Sequence, residues 1–178
     1  MTDDLLPIER YEPPHSPQLL DDLGRLRVRA WSQESGVSEK IRTSGKWLDE
    51  KDENAFHYVL KDASSSIVCA ARMNLFETKD KADYVSNFTF RRPVVGRVAV
   101  VSRLVLLREF HHRGLWRDFD MIRIREIKAM DVNAILAICG TYRLEKLKGE
   151  GFEQAGEPFA EKELPDHVAY PICHYLET

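Results

Sequence analysis

The sequence predicts one α/β domain over residues 1–178, with a central mixed sheet and helices on its faces. Three observations carry this. Two strand-like runs flank a polar turn near residue 64, which makes a hairpin. An apolar run at 97–107 leads through a basic, glycine-ended turn into an amphipathic run and then a second apolar run, the strand–helix–strand order. Helical periodicity ahead of the hairpin supplies further cover for the sheet. A chain of 178 residues is long enough to bury a core, and 43% hydrophobic with 31% charged residues describes an ordinary soluble composition.

The elements follow in order. Pro7, Pro13 and Pro14 keep the first fifteen residues extended or in a short strand. Ser16 then caps a helix that has Pro17 in its first position, with Leu19, Leu23, Leu26 and Ala30 down one side and Leu20, Arg27 and Trp31 beside them. Residues 33–48 are polar and hold a short second helix or a loop. Ala55 to Leu60 and Ile67 to Phe76 form the hairpin around Asp62-Ala-Ser-Ser-Ser. A long polar connection at 77–96 precedes the strongly apolar strand Arg97 to Leu107. Leu115 to Met130 reads as a helix with Asp118 and Asp120 near its positive end. Asn133 to Cys139 is a buried strand ended by Gly140. Thr141 to Lys148 is a short helix closed by Gly149-Glu150-Gly151, and Phe152 to Gln154 and His167 to Leu176 are the last strands.

Composition bounds the function. The opening MTDDLLPIER is acidic and lacks the basic-then-apolar order of a secretory signal. No apolar run approaches the ~20 residues of a membrane span, so a cytoplasmic protein without membrane partners is expected. Cys69, Cys139 and Cys173 are far apart in apolar runs and read as buried reduced thiols. No CxxC or spaced Cys/His set suggests a metal. Between Arg91 and Lys128 ten basic residues face four acids, a stretch of +6 in a chain of net charge −3. A basic middle in an acidic protein suits one anionic ligand held in one place rather than nucleic acid, which asks for a broad basic face.

Chemistry concentrates at SRLVLLREFHHRGLW, Ser102 to Trp116. A strand runs into a basic turn, Gly114 permits close backbone approach, and the amides that open the following helix are unpaired and partly positive. His111 and His112 are adjacent in a loop and do not converge on one ion; contact with a pyrophosphate suits them better. Asp49, Glu50 and Asp52 have the chemistry to bind an amine or act as a base, and equally to cap a helix or strand. His57 reads as a packed strand residue, and Trp31 and Trp47 as core or cleft wall. Arg72 and Arg103 lie in strands, where a buried guanidinium needs an acidic neighbour or an anionic ligand such as an acceptor carboxylate.

These phrases resemble the GNAT superfamily of acyl-CoA N-acyltransferases over nearly the whole chain. The strand, the Arg113-Gly114 turn with His111 in the usual Arg/Gln position, and the helix match its signature of Arg/Gln-x-x-Gly-x-Gly/Ala. WLDEKDENAFHYVL, Trp47 to Leu60, resembles the Asp-Glu-x-Asp-x-x-Ala-x-His pattern of a subgroup of small bacterial members. Arg27-Val28 through Gln33-Glu34 and Gly36-Val37 are similar to that subgroup's preceding helix, and Arg72 stands where it has an arginine on its third strand. The same arrangement is similar to autoinducer synthases and N-acyl amino acid synthases. GEGFEQAGEP resembles the Leu-Gly-Phe turn after the last helix.

The resemblance implies a mostly antiparallel sheet that splits at its fourth and fifth strands. It also implies acyl transfer by direct attack of an amine on a thioester. Acetyl-CoA or another acyl-CoA would be the donor, without a metal. Leu104 and Leu106 would offer backbone groups to the pantetheine arm, and His111, His112, Arg113, Gly114, Leu115 and Trp116 would surround the pyrophosphate. Arg72 and Arg103 would serve a small-molecule amine acceptor. Trp116 departs from the family's Gly or Ala. Leu147 holds the place of its usual acid tyrosine, for which Tyr142, a turn earlier, is the substitute. Val100 replaces the acidic residue of the autoinducer synthases, although Ser102 and Arg103 are kept. An acyl-carrier protein as donor and partner, a longer acyl chain with an amino-acid acceptor, a homodimer, and a CoA- or protein-binding module without turnover all stay open.

Overall fold

The first helix shows why the chain folds as it does. Ser16 is extended and its Oγ accepts from Leu19 N at 3.2 Å, so the helix α1 (Pro17–Trp31) starts where the serine–proline pair directs it. Its inward stripe is Leu23, Gly24, Leu26 and Arg27. A side chain at Gly24 would press on the strand of chain that crosses it: an added Cβ would stand 3.0 Å from both Leu48 Cγ and Lys46 Cβ. The missing side chain lets Trp47 N donate to Gly24 O at 3.0 Å, which fixes the segment leading to Asp49. The structure is a computed structural model and describes residues 5–32, 37–161, 164 and 166–176. The resemblance noted at Gln33-Glu34 and Gly36 lies outside the described residues.

The chain divides into two compact units. The first comprises residues 1–74 and 103–122. It contains β1 (Glu9–Tyr11), α1, α2 (Glu39–Thr43), β2 (Phe56–Lys61), most of β3 (Ile67–Phe76), the second half of β4 (Val98–Leu106) and the start of α3 (Leu115–Lys128). Its strand order is β1-β2-β3-β4. The β2/β3 hairpin is antiparallel, with His57 opposite Arg72 and Phe56 opposite Met73. Leu107 N donates to Val68 O at 3.0 Å beyond the end of β4.

The second unit comprises residues 75–102 and 123–178. It contains the start of β4, the rest of α3, β5 (Ala134–Gly140), α4 (Thr141–Gly149), β6 (Glu153–Gln154), β7 (Phe159–Ala160) and β8 (Val168–Tyr175). Here the order is β4-β5-β8-β6, with β7 on β8. Val98–Val101 pair in parallel with Ala134–Ala137, while β5 pairs antiparallel with β8 along its whole length. Val98, Val100, Ala134, Leu136 and Cys173 form an apolar face against which Phe76, Phe88, Phe90 and Tyr175 pack. The fold is thus a mixed, mostly antiparallel α/β arrangement with one parallel strand pair. The three cysteines are buried and none is in a disulfide. Among the described residues no helix is long and apolar enough to cross a membrane.

The close approach at Gly24 generates a prediction. Gly24→Leu is expected to destabilise the chain by about 1–3 kcal/mol, because the added side chain must push aside the 46–48 segment. A urea midpoint that falls at constant slope confirms this; an unchanged midpoint shows that the segment yields freely.

Candidate functional site

The 49–52 turn is built around Asp52. Its carboxylate accepts from Arg27 Nη1 and Nη2 at 2.8 Å each, from Arg72 Nη1 at 3.2 Å and from Asp49 N at 2.9 Å. Its backbone N in turn donates to Asp49 O at 3.1 Å, and its backbone O accepts from His57 Nε2 at 2.9 Å. Arg27, Arg72, Asp52 and His57 are all buried. A buried charge is tolerated where its hydrogen-bonding capacity is met by an opposite charge, as the bidentate Arg27–Asp52 pair does. Burial works to raise the Asp52 pKa, but the guanidiniums of Arg27 and Arg72 outweigh it and hold the carboxyl well below the usual range.

Asp49 carries the cluster outward. Its carboxylate takes Arg72 Nη1 at 2.5 Å and Arg103 Nη2 at 2.9 Å. Asp49 is 31% and Arg103 19% exposed, so the charges become accessible here. Burial again opposes ionisation of Asp49, and the two arginines again override it. Arg103 sits at φ +52°, in the left-handed region, within a strand. A side chain held there costs of order 1 kcal/mol or more. The turn of the backbone lays its guanidinium 4.3 Å from the centre of the Trp47 ring. Trp31 meets Trp47 edge-on, with ring centroids 6.5 Å apart. Three arginines against two aspartates leave this cluster with one excess positive charge, and Arg103 is its most exposed arginine.

The basic loop lies at the end of β4. Leu104 and Leu106 bury their side chains. His111 N donates to Arg108 O at 3.1 Å, and its ring Nε2 lies 3.2 Å from Leu106 O. Its ring is 6.0 Å from Trp116 and 6.4 Å from His112. Arg113 lies over Phe110 at 5.2 Å. Gly114 is exposed at φ +75°, and a Cβ there would meet nothing within 4 Å. Leu115 opens α3 directly after it, and Trp116 is half-buried. The loop therefore has the open glycine, the helix start and the cationic side chains that an anionic group needs.

The sequence-predicted residues fall in several places. Asp49, Asp52, His57, Arg72, Arg103 and Trp47 come together in the first unit, which also carries the His111–Trp116 loop. Tyr142 belongs to the second unit, where it is the second residue of α4 and 67% exposed. Arg27 and Asn74 were not singled out as site residues. A charged residue beside the apolar stripe of α1 and a lone amide near the end of an apolar strand were the available signals.

No protein-family model matches the sequence, and no curated protein sequence matches it. Solved structures do match. A CoA-dependent acyl-homoserine lactone synthase, BjaI, with SAM and isopentyl-CoA, aligns at TM-score 0.70 and 16% identity over 96% of this chain and 83% of its own. TofI, in a ternary complex with an inhibitor and MTA, aligns at 0.70 and 14% over 96% and 91%. An acyl-CoA N-acyltransferase from Pseudomonas aeruginosa aligns at 0.66 and 11% over 97% and 99%. The chain has the GNAT fold shared by N-acyltransferases and acyl-homoserine lactone synthases.

Burial of His57 generates a pH prediction. Desolvation, only partly offset by the bond to Asp52 O, lowers its pKa from 6.5 to about 4. An unfolded histidine takes up a proton that the native one refuses between those values. The contribution is therefore intact above pH 6.5 and is lost as pH falls towards about 4. It amounts to about 3 kcal/mol. Denaturant midpoints should drop across that window in the parent. His57→Gln, which keeps an N–H for Asp52 O, should flatten much of the drop. An identical slope in the variant assigns the effect elsewhere.

Proposed function

We propose that this chain is a GNAT-type acyltransferase, residues 1–178 acting as one domain, that moves an acyl group from a thioester to a primary amine. In its simplest form the donor is acetyl-CoA. The observation that carries the reading is the open, positive-φ Gly114 between the end of β4 and the start of α3, in a chain with this fold. Backbone groups at Leu104 and Leu106 hold the pantetheine arm. The amides and cationic side chains of His111 to Trp116 hold the pyrophosphate. The amine nitrogen attacks the thioester carbon, the carbon–sulfur bond breaks, and the leaving thiolate ends with the proton that the amine gives up. Tyr142 is the candidate for delivering that proton. The protein's own contribution is orientation of donor and acceptor and management of charge.

A second reading concerns the acceptor and is favoured by the Asp49–Arg103 pair. A half-exposed carboxylate beside a guanidinium matches a zwitterion: an amino-acid carboxylate at Arg103, with Arg72 behind it, and an ammonium at Asp49. The BjaI structure, with SAM and isopentyl-CoA, offers a parallel. A longer acyl chain delivered by acyl-CoA or an acyl-carrier protein fits the same chemistry.

Calorimetry with acetyl-CoA at two salt concentrations tests the donor site. Micromolar affinity that weakens with salt is expected. Gly114→Glu should weaken it by about tenfold or more by placing a carboxylate against the diphosphate, at a folding cost of about 1 kcal/mol. Unchanged affinity in the folded variant overturns the loop assignment. Binding without thiol release in the presence of amines points to a non-catalytic module.

A further inference from the structure

The 49–52 turn is held by two buried side chains from neighbouring strands. His57 Nε2 donates to Asp52 O, and Asn74 Nδ2 donates to Lys51 O at 3.0 Å. Asn74 is 5% exposed, and its Oδ1 is buried with no hydrogen-bond partner among the described residues. The orientation of that amide is fixed by its donor end, since turning it over would set oxygen against the Lys51 carbonyl oxygen. Asn74 stands two residues beyond Arg72 on β3, and alternate residues of a strand share a face. That is the face on which Arg72 holds Asp49 and Asp52. A buried carbonyl without a donor costs about 1–3 kcal/mol, which leucine at the same place would not incur. Such groups call for a further partner.

We propose that Asn74 Oδ1 is a binding contact for the acyl acceptor and takes an N–H of its reacting amine. This rests on the reading that the acceptor occupies the Asp49–Arg103 side of the first unit. The chemistry favours an amide oxygen over a carboxylate at this point. A nucleophilic amine must be neutral. Asp49 receives the acceptor as its ammonium; once that proton has left, a neutral carbonyl accepts one N–H and leaves the nitrogen lone pair for the thioester.

Two variants separate this role from that of a turn clamp. The probes are acetyl-CoA and isopentyl-CoA as donors, with the common L-amino acids and S-adenosylmethionine as acceptors, read by release of free thiol. Asn74→Leu, which removes the unpaired Oδ1 and also the bond to Lys51 O, should raise the acceptor KM by about tenfold, with acetyl-CoA affinity by calorimetry within about twofold of the parent. Asn74→Asp keeps an oxygen in place but adds charge, and should shift the acidic limb of the kcat/KM profile for the acceptor to higher pH. Parent-like acceptor KM and pH profile in both variants overturn the contact while leaving acyl transfer intact. Because both variants lose the Nδ2 bond to Lys51 O, an equal rise of acceptor KM in both, with no shift of the pH profile in Asn74→Asp, assigns the effect to the turn clamp and also overturns the contact. A parent that binds acetyl-CoA but acylates none of these amines overturns the acceptor-side reading, and the Asn74 contact falls with it.

Discussion

Asp52 is the constraint on which the first unit depends. One buried carboxylate accepts from two guanidiniums and a backbone amide, while its own peptide group ties to Asp49 O and His57 Nε2. It thereby joins α1, the turn, β2 and β3. Replacing such a cluster by well-packed apolar groups need not weaken a fold, but removing one member leaves an unpaired buried charge at a cost of about 3–5 kcal/mol. The arrangement therefore does not exist for stability alone. What it achieves is direction: with Arg27 paired to Asp52 in the interior, the residual positive charge is displaced to Arg103, where it is accessible.

Two local features turn that charge into a usable site. Without a side chain at Gly24 the Trp47 segment lies flat on α1, and the Trp47 ring is carried to the place where Arg103 can rest on it. The left-handed backbone at Arg103 does the complementary work on β4. A regular strand would alternate its side chains, and a bulky residue held out of the favoured regions is strained. Strain of this kind persists where the surroundings over-determine it, and Asp49 and Trp47 are those surroundings.

Much of the architecture was legible in the sequence because it depends on local chemistry. The serine–proline start of α1, the Ile67–Phe76 run and the Gly114 turn into α3 each carry their own physical signal, and each is where it was expected. β7, Phe159–Ala160, was not expected, because two residues have no periodicity to read and the strand exists only by pairing with β8. The expected strand Arg97 to Leu107 gave no sign of the left-handed residue within it, since φ at Arg103 is set by what its side chain meets. The Arg27–Asp52 pair spans 25 residues of chain and joins a helix to a turn, which no spacing rule identifies. Asp49 and Asp52 could be named as charged residues worth attention, but whether they cap a turn or face a ligand needed the fold. The fold gives both: Asp52 is interior, Asp49 half out.

The basic middle of the chain shows the same limit from another side. A run of positive charge in sequence suggested one anionic ligand, yet the charges do not stay together. Arg91 pairs with Glu153, Arg97 with Glu77, Arg92 lies over Tyr175, and Arg103 joins the Asp49 cluster. Glu109 pairs with Arg29. The loop itself carries Arg108, Arg113 and Arg117 around the start of α3, with Asp118 and Asp120 just inside the helix. On the proposed reading these three exposed arginines act on one small anion rather than on a nucleic acid backbone, whose affinity grows with each phosphate neutralised. They suit a compact diphosphate, provided that the main-chain amides beside Gly114 contribute as well, because fixed backbone dipoles supply local potential without adding net charge. The single glycine that exposes the backbone between the arginines therefore favours a small anionic ligand more than their number does.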